Sequence, residues 1–347
     1  MDAGPERAFG KIPERAERRR DKGDPGAHNG AEVEMAGTAE SVRSELQDVE
    51  VAGKRVAVQL PEGLKQCANT VADVLKRKGA KEVFIFIDPA YGACDVKDFE
   101  AKELGADVLI HVGHNRFGNT ATEIPVVYVP LTLSLDVEKI IKVLRSIPGK
   151  IALCTTVHYL PYLDRIKKKL GNKIVVGKST FGDEGQVLGC DPSACSVDAD
   201  VNVVITDGVF HGIIARMWTG RKTYVLTPAG KLIDMEPHAE KYVRQREAAK
   251  AFAKTARRVG VVITMKKGQR NIKAAKQLAK ILESNGLCAD VLVCDYFFPE
   301  YVKGMPYDAY VFTGCPRVAI DDYARFEKPV LTVAEALEVW NGCKVER

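Results

Sequence analysis

The sequence has no Cys-x-x-Cys pair, the spacing on which most local zinc and iron–sulfur motifs depend. It contains nine cysteines, and the shortest spacing among them is the one between Cys190 and Cys195, so no complete local metal-binding motif is present. Nine is an odd number, the chain is 347 residues long, and no export signal is visible. We therefore expect reduced thiols in a cytoplasmic protein rather than a disulfide framework.

Long apolar runs are also missing. No stretch approaches the roughly 18 apolar residues that cross a bilayer, and the N-terminal residues lack the apolar core of a secretory signal. The sequence therefore predicts no contact with a membrane. The formal net charge of +5 permits an acidic partner, but it does not indicate direct binding of nucleic acid.

The chain is long enough for two or three domains. Residues 1–37 combine charge, Gly and Pro with few apolar side chains, a composition that predicts a disordered charged tail. The remainder alternates β-rich runs with stretches of helical periodicity.

Four β-rich runs occur three times along the chain. They lie at 55–61, 82–88, 108–114 and 126–132, then at 150–156, 173–179, 202–208 and 223–229, and then at 258–264, 289–295, 309–315 and 330–336. The second set follows the first by roughly 91 to 97 residues, and the third follows it by roughly 201 to 207. A near-constant offset indicates internal duplication.

Continuous apolar strands joined by helices are typical of a parallel sheet that is covered on both faces. The predicted fold is therefore α/β, with three homologous Rossmann-like domains in pseudo-threefold arrangement. Each domain is a four-stranded parallel sheet flanked by helices. The predicted boundaries are 38–145, 146–250 and 251–347.

Three cysteines lie in loops that follow the strands, where sites form in parallel sheets. Cys94 in 89-PAYGACD-95 and Cys190 in 182-GDEGQVLGCD-191 follow the second strand of their units, and Cys315 in 313-TGCPR-317 follows the third. If the three sheet edges face a common centre, three thiolates converge there. The alternative, three unrelated loop cysteines, stays open at this point.

The other cysteines suit simpler roles. Cys67 and Cys288 lie on or near helices, and Cys154 and Cys294 lie within strand runs, where a free thiol packs as a small apolar group. Cys343 is close to the C-terminus and is expected to be peripheral. Cys195, five residues after Cys190, is the rival ligand.

Three widely spaced thiolates fit a cubane iron–sulfur cluster better than structural zinc, which prefers four protein ligands. With three protein ligands, one iron is left open for substrate. That arrangement favours chemistry at the cluster over simple electron transfer.

The loops 91-YGACD-95, 185-GQVLGCD-191 and 313-TGCPR-317, together with 59-QLPEGL-64, resemble the archaeal 2-(3-amino-3-carboxypropyl)histidine synthases, the first enzymes of diphthamide biosynthesis. The resemblance covers about residues 40–347. It implies a 4Fe-4S cluster on Cys94, Cys190 and Cys315, with S-adenosylmethionine at the open iron. The Cys-x-x-x-Cys-x-x-Cys motif of conventional radical enzymes of this cofactor is absent.

The resemblance also implies the reaction. The bond from sulfur to the methionine γ-carbon is cleaved, and the resulting 3-amino-3-carboxypropyl radical adds to C2 of a histidine on translation elongation factor 2. An electron donor and a homodimer are implied as well.

Residues for cofactor contact are also predicted, and no catalytic residue beyond the cluster is assigned. The candidates follow strand ends: Gln59, Gly113, Gly208, Gln269 and Arg317. Glu62, Gln186 and Lys267 occupy similar positions. Helix capping or surface ion pairing is the alternative for the polar ones, and loop packing is favoured for His114 and His211.

Two other functions remain open. One is a quinolinate synthase-like dehydratase, which has the same three-domain, three-cysteine cluster plan. The other is a non-catalytic accessory subunit of the diphthamide system, although the presence of all three cysteines argues for a complete site.

Overall fold

The structure, a computed structural model, describes residues 38–118 and 120–340. The predicted tail at 1–37 and Cys343 lie outside the described residues. Within the described part of the chain, no helix is both long and apolar enough to cross a membrane.

The strands follow the predicted repeat. Their bounds are β1 Arg55–Gln59, β2 Glu82–Phe86, β3 Val108–Val112, β4 Val126–Val129, β5 Ile151–Thr155, β6 Ile174–Val175, β7 Val201–Ile205, β8 Thr223–Leu226, β9 Leu232–Asp234, β10 Arg258–Thr264, β11 Cys288–Cys294, β12 Ala309–Phe312 and β13 Val330–Leu331. Their Val- and Ile-rich sequences suit a pleated, buried surface. Strands β3, β5 and β7 are buried along their whole length.

Helices connect the strands and cover the sheets. Their bounds are α1 38–45, α2 Ala68–Arg77, α3 Asp98–Glu103, α4 Val137–Ser146, α5 Leu163–Leu170, α6 Phe210–Thr219, α7 Glu236–Ala253, α8 Ile272–Ser284, α9 Pro299–Val302, α10 Pro316–Asp321 and α11 Val333–Trp340. Short 3₁₀ helices at Glu62–Cys67, Val157–Tyr162, Gly171–Lys173, Ser193–Cys195 and Tyr323–Arg325 complete the connections.

All three sheets have the same strand order. The orders are β2-β1-β3-β4, β6-β5-β7-β8-β9 and β11-β10-β12-β13, so each unit places its strands as second, first, third, fourth. Pairing within these four-strand sets is parallel throughout. The predicted α/β fold of three related units is confirmed.

The prediction of four parallel strands is wrong for the second sheet. Strand β9 adds a fifth, antiparallel strand that pairs with β8. A tight turn connects them: Thr227 N–H donates to Lys231 O at 2.9 Å, and Gly230 has φ +81°. A three-residue strand carries too little periodicity to stand out in the sequence.

Two of the predicted strand runs are reduced to two residues each. Only Val330 and Leu331 of the run 330–336 are extended, because Thr332 and Glu335 form a capping box that begins α11. Strand β6 ends at Val175, and the following loop returns to the sheet where Gln186 bridges to Thr155. This return places the Cys190 loop at the carboxyl end of β5.

Candidate metal centre

The three predicted cysteines line one cavity. Cys94, Cys190 and Cys315 all face a cavity of about 320 Å³. Each comes from the loops at the carboxyl ends of a different sheet. Cysteines that lie 96 and 125 residues apart along the chain are therefore brought to a single site.

Gln269 connects two of these cysteines. Its Nε2 donates a hydrogen bond to Cys94 Sγ at 3.2 Å, and its Oε1 accepts one from the Cys315 backbone N–H at 3.3 Å. The neighbouring Gly268 N–H donates to Cys94 O at 3.0 Å. A Cβ on Gly268 would lie 2.7 Å from Cys94 Cα, so only glycine permits this approach.

The Cys190 loop is held by Asp191. Its Oδ2 accepts hydrogen bonds from the Ser179 hydroxyl and from the backbone N–H of Thr180 and Phe181, at 2.8 to 2.9 Å. Burial raises the pKa of Asp191, but these bonds and those from Ser193 outweigh it and hold the pKa below its usual range. The carboxylate therefore stays charged and orders the loop.

The thiols are poorly suited to ionise in the protein alone. Burial, with the charge of Cys315 as a smaller cause, raises the pKa of Cys94 to about 11 and that of Cys190 to about 12. Gln269 partly opposes the shift at Cys94 through its hydrogen bond. Three thiolates in this cavity therefore need a cationic group among them, which is what metal binding supplies.

A single ion does not match this donor set. Across residues 38–118 and 120–340, no three side chains of His, Cys, Asp or Glu are arranged to hold one metal ion. A cluster takes each thiolate on a different iron. The cavity with three separate thiol donors therefore fits an iron–sulfur cluster better than zinc.

Neutral histidines form part of the cavity wall. Burial lowers the pKa of His114 and of His211 to about 4, with the charge of His158 a further cause at His114. His158 donates from Nδ1 to Leu131 O at 2.8 Å. A carbonyl can only accept, so in the neutral form of His158 the free lone pair is on Nε2.

Charged groups also face the cavity. Arg116, Arg317 and Asp207 line it. The Arg317 guanidinium lies 4.2 Å from the centroid of the Phe210 ring, and Tyr159 OH donates to Asp207 at 2.7 Å. The cavity thus offers guanidinium groups that can bind a carboxylate and a carboxylate that can bind an ammonium group.

Several sequence-predicted residues do contribute to this site. Arg317, Gln186, His114 and His211 line the cavity with the three cysteines. Gln186 exchanges two hydrogen bonds with Asn115, at 2.6 and 2.9 Å, and so joins the loops of the first and second sheets.

Other predicted residues lie away from the cavity. Gln59 is fully buried, and its amide bonds Asp95 O at 2.7 Å, Lys97 N at 3.2 Å and His111 Nδ1 at 3.0 Å. Gly113 packs on Pro61.

Gly208 does not line the cavity, although Thr206 and Asp207 beside it do. Lys267 pairs with Asp98 at 2.7 Å, and Glu62 pairs with Lys65.

The rival ligand Cys195 is not at the site. It is buried with its sulfur 2.7 Å from Cys154 Sγ, outside the cavity lining. Cys67 is buried in the first core, and Cys288 is exposed on β11.

Some site residues were not predicted. Arg116, Asp207 and His158 line the cavity, and Lys266 forms a buried ion pair beside Cys94. Asp207 directly precedes Gly208. His158 lies just after β5, in the place that 59-QLPEGL-64 occupies at the end of β1. Reading every polar residue after a strand end would have found them.

The fold and the cavity define an α/β protein with a three-thiol site at the junction of three related sheets. The sequence pattern of the diphthamide synthesis protein family matches residues 60–346. This chain belongs to that family.

Two relatives and one solved structure illustrate the match. The 2-(3-amino-3-carboxypropyl)histidine synthase of Pyrococcus horikoshii is 34% identical over 306 residues, which cover 85% of this chain and 88% of that protein. Subunit 1 of the Homo sapiens enzyme of the same name is 31% identical over 296 residues, 82% of this chain and 67% of that protein. The crystal structure of Dph2 from Pyrococcus horikoshii with a 4Fe-4S cluster has a TM-score of 0.78 at 31% identity, covering 87% of this chain and 90% of that one.

Proposed function

We propose that this protein transfers the 3-amino-3-carboxypropyl group of S-adenosylmethionine to C2 of a histidine on translation elongation factor 2. This is the first step of diphthamide biosynthesis. The observation that carries the proposal is the meeting of Cys94, Cys190 and Cys315 in one cavity, in a chain of the diphthamide synthesis protein family.

In this proposal the three cysteines hold a 4Fe-4S cluster, the group that the structure of the Pyrococcus horikoshii relative contains. When bound, the cluster supplies one electron and an iron with an open position for S-adenosylmethionine. The cysteines bind as thiolates, and Gln269 donates a hydrogen bond to the sulfur of Cys94. The raised pKa values of the free thiols make cluster assembly release protons.

The charged groups of the cavity orient the methionine part of the cosubstrate. Arg317 and Arg116 suit its carboxylate, and Asp207 suits its ammonium group. Their role is to aim the γ-carbon, because the position of the molecule decides which of its three carbon–sulfur bonds breaks. Cleavage at the γ-carbon leaves methylthioadenosine and the 3-amino-3-carboxypropyl group that is transferred.

The histidine wall suits the second half of the reaction. Addition of the 3-amino-3-carboxypropyl radical at C2 gives an adduct radical, and the imidazole becomes aromatic again by losing the C2 proton and one electron, for which the oxidised cluster would be the acceptor. His158 presents the free lone pair of Nε2, because Nδ1 donates to Leu131 O. We assign His158 as the group that accepts this proton.

The proposal extends to the assembly. Residues 38–145, 146–250 and 251–347 act as three domains, each contributing one cysteine. The protein works as a homodimer and takes its electron from a separate donor.

Anaerobic purification and spectroscopy test the cluster. We expect a brown protein with a broad visible absorption band and an EPR signal on reduction. Alanine at Cys94, Cys190 or Cys315 should remove most of the iron, whereas Cys67→Ala, a buried cysteine outside the cavity, should retain it. A colourless protein with stoichiometric zinc would contradict the proposal.

Incubation with S-adenosylmethionine, dithionite and elongation factor 2 tests the activity. We expect methylthioadenosine and a modified histidine in equal amounts. Formation of quinolinate instead would support a dehydratase, and a bound cluster with no turnover would indicate an accessory subunit.

A further inference from the structure

Cys154 and Cys195 form a close sulfur pair outside the cavity. Cys154 lies on β5, and Cys195 ends the 3₁₀ helix Ser193–Cys195. Their Sγ atoms are 2.7 Å apart. Non-bonded carbon atoms pack at roughly 3.5 to 4 Å, and sulfur is larger than carbon, so the two thiols, which are free in this structure, lie closer than ordinary packing and beyond the roughly 2.05 Å of a disulfide bond.

The surroundings isolate the pair. Both side chains have 0% exposure, and they lie in a small cluster with Val187, Ala194 and Val204. The apolar neighbours give neither sulfur another polar side chain to bond within that cluster. Burial raises the pKa of Cys154 well above its ordinary value, and Cys195 raises it further.

We infer that Cys154 and Cys195 are joined by a disulfide bond. The two thiols lose two electrons and two protons, and a small disulfide such as oxidised glutathione takes them up and becomes two thiols. The exchange takes place before the segments around the two cysteines have folded, because neither sulfur is accessible in the folded chain. For the same reason, thiol reductants do not reach the bond once the protein has folded.

The bond has a defined place in the architecture. It ties strand β5, which lies between β6 and β7 in the second sheet, to the segment directly after Cys190. The segment that carries Cys190 is then attached to β5 on both sides, by the bridge between Gln186 and Thr155 before it and by this bond after it. The bond also removes Cys195 as a competing thiol five residues from Cys190.

Peptide mapping of the full-length protein tests the inference without requiring the cluster or activity. Cells are lysed under nitrogen in guanidinium and iodoacetamide, and the protein is digested with trypsin. We expect peptide 151–165, which contains Cys154, to be linked to peptide 179–216, which contains Cys195, in most molecules. Reduction should separate the two peptides.

The linked partner needs to be assigned because peptide 179–216 also contains Cys190. Fragmentation of the linked species should place the bond at Cys195, and Cys195→Ala should abolish the species. Cys67, a buried cysteine of the first core, should be alkylated without reduction. Full alkylation of Cys154 and Cys195 without reduction, or a bond from Cys154 to Cys190, would overturn the inference.

Discussion

Lys266 Nζ lies 2.6 Å from Asp95 Oδ2, in an ion pair whose side chains are only 8% and 3% exposed. The pair joins the loop after β10 to the loop that carries Cys94. The ammonium also lies 3.8 Å from the centroid of the Tyr296 ring. The neighbouring Lys267 pairs with Asp98, so two consecutive lysines of the third sheet attach to the first sheet beside the proposed cluster.

Removing Lys266 should destabilise the protein strongly. Burial already raises the pKa of Asp95 even with Lys266 beside it, and Lys266→Met leaves that carboxylate without its partner. A broken buried pair costs about 3–5 kcal/mol, measurable by urea unfolding. The double variant Lys266→Met/Asp95→Asn should recover much of the loss.

A matched control is the exposed pair of Lys102 and Glu123. Lys102→Met should cost less than about 1 kcal/mol, because exposed pairs contribute little. Equal losses for Lys266→Met and Lys102→Met would show that the buried pair has no special role.

Gly268→Ala should weaken cluster binding while the fold persists. The new Cβ would lie 2.7 Å from Cys94 Cα and 2.8 Å from its carbonyl oxygen, so the Cys94 loop has to move. We expect iron per protein to fall severalfold with an unchanged far-ultraviolet circular dichroism spectrum. Gly63→Ala, where no atom lies within 4 Å of the new Cβ, should keep full iron.

Gln269→Met should shift the cluster's reduction potential to a more negative value. The substitution removes the hydrogen bond to Cys94 Sγ. Hydrogen-bond donors to cluster sulfurs stabilise the reduced cluster, because it carries more negative charge than the oxidised one. EPR-monitored redox titration measures the shift. Gln66→Met, at an exposed position, is the control, and an unchanged potential in Gln269→Met would show that this bond does not tune the cluster.

Stability should fall as pH drops below about 6.5. Burial lowers the pKa of His111 to about 3 and that of His114 to about 4, so the unfolded chain binds protons at these rings before the folded chain does. Each ring then costs up to about 1.4 kcal/mol per pH unit between its unfolded and folded pKa values.

Urea unfolding between pH 7.5 and 4.5 measures this slope. His111→Asn should make it shallower, whereas His238→Asn, at an exposed position, should leave it unchanged. The interpretation fails if His111→Asn keeps the wild-type slope.

The strand repeat could be predicted because it depends on local composition. Buried parallel strands are continuous apolar runs, and a constant offset of these runs exposes the duplication. Strand β9 was missed because three residues carry no clear pattern. The end of β13 was misjudged because the capping box at Thr332 and Glu335 outweighed the strand preference of Val330 and Val333.

The roles of polar residues at the strand ends could not be predicted in the same way. Gln59 and Gln269 both follow or end the first strand of their units, yet Gln59 is buried under the Cys94 loop and Gln269 reaches Cys94 itself. The difference depends on which neighbouring loop covers each residue. For Gln59 that loop belongs to its own sheet and for Gln269 it belongs to another sheet, and neither contact leaves a local trace in the sequence.

The sequence by itself determined the three α/β units, the loop position of each candidate cysteine and the family resemblance. These follow from residue types and spacing, which act along the chain. Only the tertiary structure decided which groups meet: Cys94 with Gln269, Lys266 with Asp95, and Cys195 with Cys154 rather than with the cavity. The physical reason is that these contacts depend on how separate sheets and loops pack against one another, and that packing is a property of the whole buried surface.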